Sequence, residues 1–256
     1  MSMRMIDLST RRRMHSSSVG MESKTTLFYS RMQIKFPKLD MLSAGIAFVL
    51  LASAGVIIFK VVIPKIMPAA IVLQVPFSAQ APTNNWSRNE DCEETSITMA
   101  NAFLTGTTED KLPAAAAQNA INNLKTWGQA NLGYNANTGA DATTKMAQGA
   151  FGLTITQIPN FTESDLKTAL TNKHPILLPI NAKLLGSAQY ANGGPTYHMI
   201  VIRGFKGDSF IVNDPGTDSG DGNEYPFSIL QKASADWNQI TKSIDATRKI
   251  ALVVSK

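Results

Sequence analysis

Between Asp91 and Leu104, small and apolar residues recur at three- and four-residue steps. Cys92, Thr95, Ser96, Met99, Ala100, Phe103 and Leu104 share one face. That period predicts a helix, with Asp91 as N-cap and Glu94, three residues on, completing a capping box. PAAAAQNAINNLKTW and DATTKMAQGAFG read as two more helices, the second ending near Gly152, and TESDLKTALTN as a capped one. The strand pattern marks IVLQVPF, with Pro76 near its end, then LTITQI and PILLPIN. Pro179 has no N–H to give a ladder, so PILLPIN is expected at an edge or a bulge. YHMIVIRGF and SFIVND flank Lys206, Gly207 and Asp208 and predict a hairpin with a tight loop. PFSILQKASADW gives a last helix and KIALVVS a closing strand. Helices come mostly first and antiparallel strands mostly last, so the predicted class is α+β.

One run has no polar stripe. Met41–Phe59 is nineteen residues without a charge, flanked by Lys38 and Asp40 before it and Lys60 after it. A helix of that length spans roughly 30 Å, the thickness of a bilayer's hydrocarbon core. A cleaved signal would have a shorter apolar region and a small-residue site close behind, and Met67–Ala70 matches such a site poorly. A retained anchor over 40–60 is therefore expected, after a basic, disordered tail over 1–39. A linker over 61–72, stiffened by Pro64 and Pro68, then leads into a folded domain over 73–256. Eight Lys/Arg precede the span and only Lys60 and Lys65 follow closely. The tail is expected in the cytoplasm and the domain outside a single-pass cell membrane.

The net charge of +5 belongs to that tail. From residue 66 onward, fourteen basic side chains face sixteen acidic ones, so the domain offers no basic face to a nucleic acid.

Cys92 is the only cysteine in the chain. It cannot close an intramolecular disulfide, which leaves packing, an intermolecular link or reactivity. Unpaired N–H groups at a helix start favour a thiolate. Glu93 and Glu94 oppose it unless their long side chains reach solvent. A reactive thiol needs a base, and three histidines are present. His15 is on the wrong side of the span, and His174 reads as an exposed turn residue. His198 opens a strand, and the tight hairpin puts it across from residues 214 to 217, within reach of Asp214. A carboxylate there either orients the imidazole as a base or forms a cross-strand ion pair. Together the three residues point to cysteine-dependent acyl transfer on a peptide or protein substrate. No cofactor is called for, and one cysteine with two exported histidines makes no typical zinc site. The acidic, Gly-rich stretch Asp214–Glu224 does not fit a calcium loop and is expected to be mobile. Trp86, Trp127 and Trp237 are expected as core or cleft wall.

VPFSAQAP, a tryptophan and DCEETS, followed by GGPTYHMIVIRGFKGDSFIVNDPG, resemble the C39-like cysteine peptidases, relatives of the papain-like fold, over residues 73–256. The resemblance implies helices packed on an antiparallel sheet and a cysteine peptidase, which the span over 40–60 is expected to anchor in the membrane. Cys92 would be its nucleophile, His198 its general base and acid, and Asp214 the residue orienting the imidazole. Gln80 would match the glutamine that lines the oxyanion hole, with Asn89 a rival donor. Glu93 stands where many members carry glycine, and Gln80 lies twelve residues before Cys92. The same roles would serve a cell-wall peptide amidase or transpeptidase, and loss of turnover would leave a surface binding module.

Overall fold

Met199, Ile200, Val201 and Ile202 are fully buried, and the strand that carries them organises the domain. The structure is a computed structural model that describes residues 67–86 and 90–256. The expected tail and the span Met41–Phe59 lie outside the described residues. Among the described residues no helix is long and apolar enough to cross a membrane.

The strands are β1 (Ala70–Val72), β2 (Thr154–Pro159), β3 (Ile176–Ile180), β4 (His198–Lys206), β5 (Ser209–Asn213), β6 (Asn223–Pro226), β7 (Asp236–Asn238), β8 (Ser243–Asp245) and β9 (Ile250–Ser255). The helices are α1 (Cys92–Leu104), α2 (Ala114–Leu132), α3 (Ala140–Phe151), α4 (Glu163–Thr171) and α5 (Phe227–Ala233). Seven strands form one sheet in the order β2-β9-β3-β4-β5-β6, with β1 added beside β4. Every pairing in it is antiparallel. β7 and β8 form a separate ribbon. Helices followed by an antiparallel sheet make the α+β class expected from the element order.

Several elements differ from the sequence expectation, each for a local reason. β1 stops at Val72 although the β pattern continues to Phe77. β1 and β3 share one edge of β4, β1 opposite Gly204–Lys206 and β3 opposite His198–Ile202, so β1 ends where β3 takes over. β4 is also bulged between Ile202 and Gly204. Pro179 sits inside the sheet rather than at its edge. It pairs with Met199 on the β4 side, and β9 reaches only Ile176 and Leu177, so the missing N–H breaks no ladder bond. The last helix ends at Ala233 because Ala235 donates to the Pro179 carbonyl at 3.1 Å and Ser234 bridges Ile180.

Other expectations hold. Lys206 and Ser209 close a two-residue loop in which Gly207 takes φ +55°, a left-handed conformation glycine adopts without strain. Thr162 and Asp165 exchange side-chain and backbone bonds in a capping box at the start of α4. α3 ends at Gly152 with φ +66°.

The amphipathic reading of α1 falls short. Residues Cys92 to Ala100 are buried on every side, Glu93 and Glu94 among them, because α1 lies between the sheet strands β3 and β4 and the helices α2 and α3. Its expected capping box does not form, since Asp91 makes no side-chain cap bond. The Asp91 carboxylate is 2.5 Å from Lys125 on α2 instead.

A Cβ on Gly204 would lie 2.5 Å from the Ile71 carbonyl and 3.0 Å from Val72 Cα. Both are backbone atoms that cannot move without detaching β1. Gly204→Ala is expected to lower the unfolding free energy by about 1–3 kcal/mol in denaturant titration, the usual effect of overpacking.

Candidate functional site

Asp214 follows β5 and its side chain has no exposed surface. Its Oδ1 receives three donors: His198 Nε2 at 2.7 Å, the Tyr190 hydroxyl at 2.7 Å and the Gly216 amide at 2.9 Å. Burial alone would push this carboxyl up, yet its pKa is held below the usual value by His198, Tyr190 and Gly216. Hydrogen bonds to a charged group contribute about 1.5–3 kcal/mol each, so three of them match the several kcal/mol that burying a carboxylate costs. The expected neighbourhood of His198 and Asp214 is thus present, as a sealed pair rather than a surface one.

The ring of His198 is 1 % exposed. Ile180 opposes it across β3, and the Tyr190 ring stands edge-on to it at 6.2 Å. Because Nε2 is committed to Asp214, Nδ1 is the nitrogen left for a proton. Gly216 completes the corner. A Cβ there would fall 2.1 Å from the Tyr190 hydroxyl and 3.0 Å from the His198 ring, so only glycine fits. The stretch Asp214–Glu224, expected to be mobile, makes several contacts here. The Asp214 amide donates to Gly220 O at 2.8 Å, Arg203 reaches Asp221 at 3.2 Å, and Gln189 holds the Ser219 carbonyl at 2.9 Å.

Cys92 is the first residue of α1 and is 6 % exposed. The first turns of α1 lie against the start of β4. Ser96 Oγ donates to the Met199 carbonyl at 3.2 Å, which sets this turn beside the residue that follows His198, and the nearby Met199 amide favours the Cys92 anion. The thiol itself donates elsewhere, to Glu93 Oε2 at 3.0 Å. Burial, then Glu93 and Glu94, push the thiol well above its ordinary value. The two glutamates do not reach solvent as expected. Both are buried, and desolvation raises both, Glu93 to about 7.

Gln80 is brought to the same corner. Its amide donates to Pro215 O at 2.8 Å, and the approach is fixed by Asn213 Nδ2 on the Val75 carbonyl at 3.0 Å. A cavity of about 280 Å³ opens between Gln80, Tyr190, Pro195, His198 and Gly216. Asn89 lies outside the described residues, as does His15. His174 sits in the turn before β3, where its amide donates to Ala169 O at 3.0 Å. Trp86 and Trp127 pack against the core. Trp237 stacks on Tyr197 at 5.5 Å and lines a second cavity with Asp141, Asp236 and Arg248. Among the described residues no group of three His, Cys, Asp or Glu side chains is disposed to hold a metal ion.

Tyr190, Gly216 and the burial of Glu93 are absent from the sequence reading. Tyr190 belongs to an aperiodic loop, and an acid following a cysteine carries no sign of burial. The one signal in the sequence is the glycine after Asp214-Pro215, a residue type that marks close backbone approach.

No curated protein matches the chain. Among solved structures, a C39-like peptidase from Bacillus anthracis is 15% identical, with a TM-score of 0.46, covering 73% of this chain and 98% of that one. The Pseudomonas avirulence protein AvrPphB is 14% identical, with a TM-score of 0.33, covering 71% and 98%. The model of the Peptidase_C39 like family matches residues 72–245, a span that holds Gln80, Cys92, His198 and Asp214. With well over half its length inside that match, the chain belongs to the Peptidase_C39 like family.

Proposed function

We propose that the domain is a cysteine peptidase that hydrolyses peptide or related amide bonds through Cys92, His198 and Asp214. The observation that carries this reading is the sealed 2.7 Å His198–Asp214 pair, with the first turns of α1, which begins at Cys92, tied to the next residue, Met199, by Ser96 Oγ at 3.2 Å. His198 Nδ1 takes the thiol proton, and the thiolate attacks the carbonyl carbon. The imidazolium returns the proton to the leaving amine, and water then cleaves the acyl-enzyme with His198 as base. Asp214 fixes the tautomer and offsets the imidazolium charge. Gln80 at the cavity mouth and the Cys92 amide serve as oxyanion donors. Substrate enters the cavity beside Tyr190 and Gly216.

We also take Met41–Phe59 as a membrane anchor that carries the domain outside the cytoplasm, on the strength of its uncharged length and basic flank. A binding module without turnover is the second reading. The thiol donating to Glu93 rather than to His198 is the observation in its favour.

Hydrolysis of a fluorogenic peptide library separates the two. Cys92→Ala is expected to abolish turnover, and full activity in that variant excludes the peptidase reading. His198→Ala is expected to lower kcat/KM by roughly 10²–10⁴-fold, the range for a lost general base. Tyr190→Phe removes one of the three donors on Asp214. It should lower unfolding free energy by about 1–3 kcal/mol in denaturant titration and reduce kcat by about tenfold, with KM little changed.

A further inference from the structure

Glu93 is 1 % exposed, sits next to the proposed nucleophile, and receives its proton at 3.0 Å. We propose that Glu93 gates the thiol: as a carboxylate it holds the proton on Cys92, and as a carboxylic acid it donates to sulfur and frees that proton for His198. This rests on Cys92 as the reacting group.

The step balances with one proton from solvent. Protonation of Glu93 Oε2 forms an O–H bond and turns the hydrogen bond round, because a thiolate is the better acceptor. The S–H bond breaks as its proton moves to His198 Nδ1, whose imidazolium faces Asp214. Before the step the charges are the two carboxylates. After it they are the thiolate, the imidazolium and the Asp214 carboxylate, with Glu93 neutral.

The surroundings of Glu93 set where this happens. Desolvation raises it, while the Cys92 thiol, the amides of Glu93 and Thr138, and His198 at the start of β4 hold it down, for a balance at about 7. On α1 itself, Glu94 is also buried, and desolvation, then Glu93 beside it, pushes its pKa up. Asp91 and Lys125 form a pair between α1 and α2. Tyr197 faces both Glu93 and Cys92 from the residue before His198. Burial keeps the Tyr197 and Tyr190 hydroxyls protonated through this range.

The sign follows. An ordinary thiol becomes more reactive as pH rises, because reactivity tracks thiolate. Here reactivity falls as pH rises through the Glu93 range, since the new carboxylate repels a thiolate and accepts the hydrogen bond that keeps the proton on sulfur.

Cys92 is the only cysteine in the chain, so iodoacetamide reports on it alone. On the full chain, alkylation is expected to be about tenfold or more faster near pH 6 than near pH 8, because the protonated fraction of Glu93 falls about tenfold for each pH unit above its midpoint. Glu93→Gln keeps the shape, removes the charge, and is expected to erase that fall. A wild-type rate that climbs steadily through neutrality overturns the gate, and so does a fall that persists in Glu93→Gln. Should Glu93→Gln not fold, carboxyl NMR of ¹³C-glutamate wild-type protein decides. Glu93 titrating together with the Cys92 β-carbon supports the gate, and Glu93 ionised throughout overturns it. Peptide hydrolysis without the pH signature removes the gate alone. The signature without hydrolysis by any peptide leaves the gate and removes the peptidase reading.

Discussion

A carboxylate with no exposed surface survives at the end of β5 because three donors converge on one of its oxygens. Most of the site's geometry follows from that convergence. His198 must present Nε2 inward and Nδ1 outward, and Tyr190 must fold its loop back to reach the same oxygen. Residue 216 must be glycine, because the tyrosine hydroxyl and the imidazole already occupy the space of a side chain. The segment bearing Gln80 is drawn in by the carbonyl of Pro215, one residue beyond the carboxylate. A single desolvated charge therefore specifies a corner built from four separated stretches of chain.

The first turn of α1 makes a contrasting choice. Glu93 and Glu94 are as deeply buried as Asp214, but here desolvation outweighs the groups that favour the ion. Their carboxyls are pushed towards the neutral form rather than held ionised. The helix start still favours negative charge nearby, and Asp91, paired with Lys125, is the acid there with a cationic partner in contact. Buried acids are thus treated in opposite ways in one site, Asp214 stabilised as an ion and Glu93 pushed towards its neutral form.

What could be read in advance was what is local. The capping box of α4 and the loop at Gly207 depend on residues a few positions apart, and antiparallel register from that loop carries His198 to Asp214, sixteen residues on. The family likeness added Gln80, which spacing alone left unsupported. The rest depends on what lies on the other side of a residue. Pro179 reads as an edge residue, and only the short reach of β9 lets it stay inside the sheet. Asp91 reads as a cap, and a lysine from α2 takes its side chain instead. Charged residues are rarely fully buried, so nothing in the pattern of α1 announced that its acids face the interior. Tyr190 sits in a loop without period, and its role exists only once that loop has closed.

The strand β9 lies between β2 and β3, and β2 pairs with no other strand of the sheet. β2 is synthesised long before its partner, so its backbone groups stay without a ladder until residue 255 has emerged. The sheet can therefore close only after synthesis has passed β9. Until β9 arrives, β2 and the β9-facing side of β3 are unpaired edges to which another chain could add.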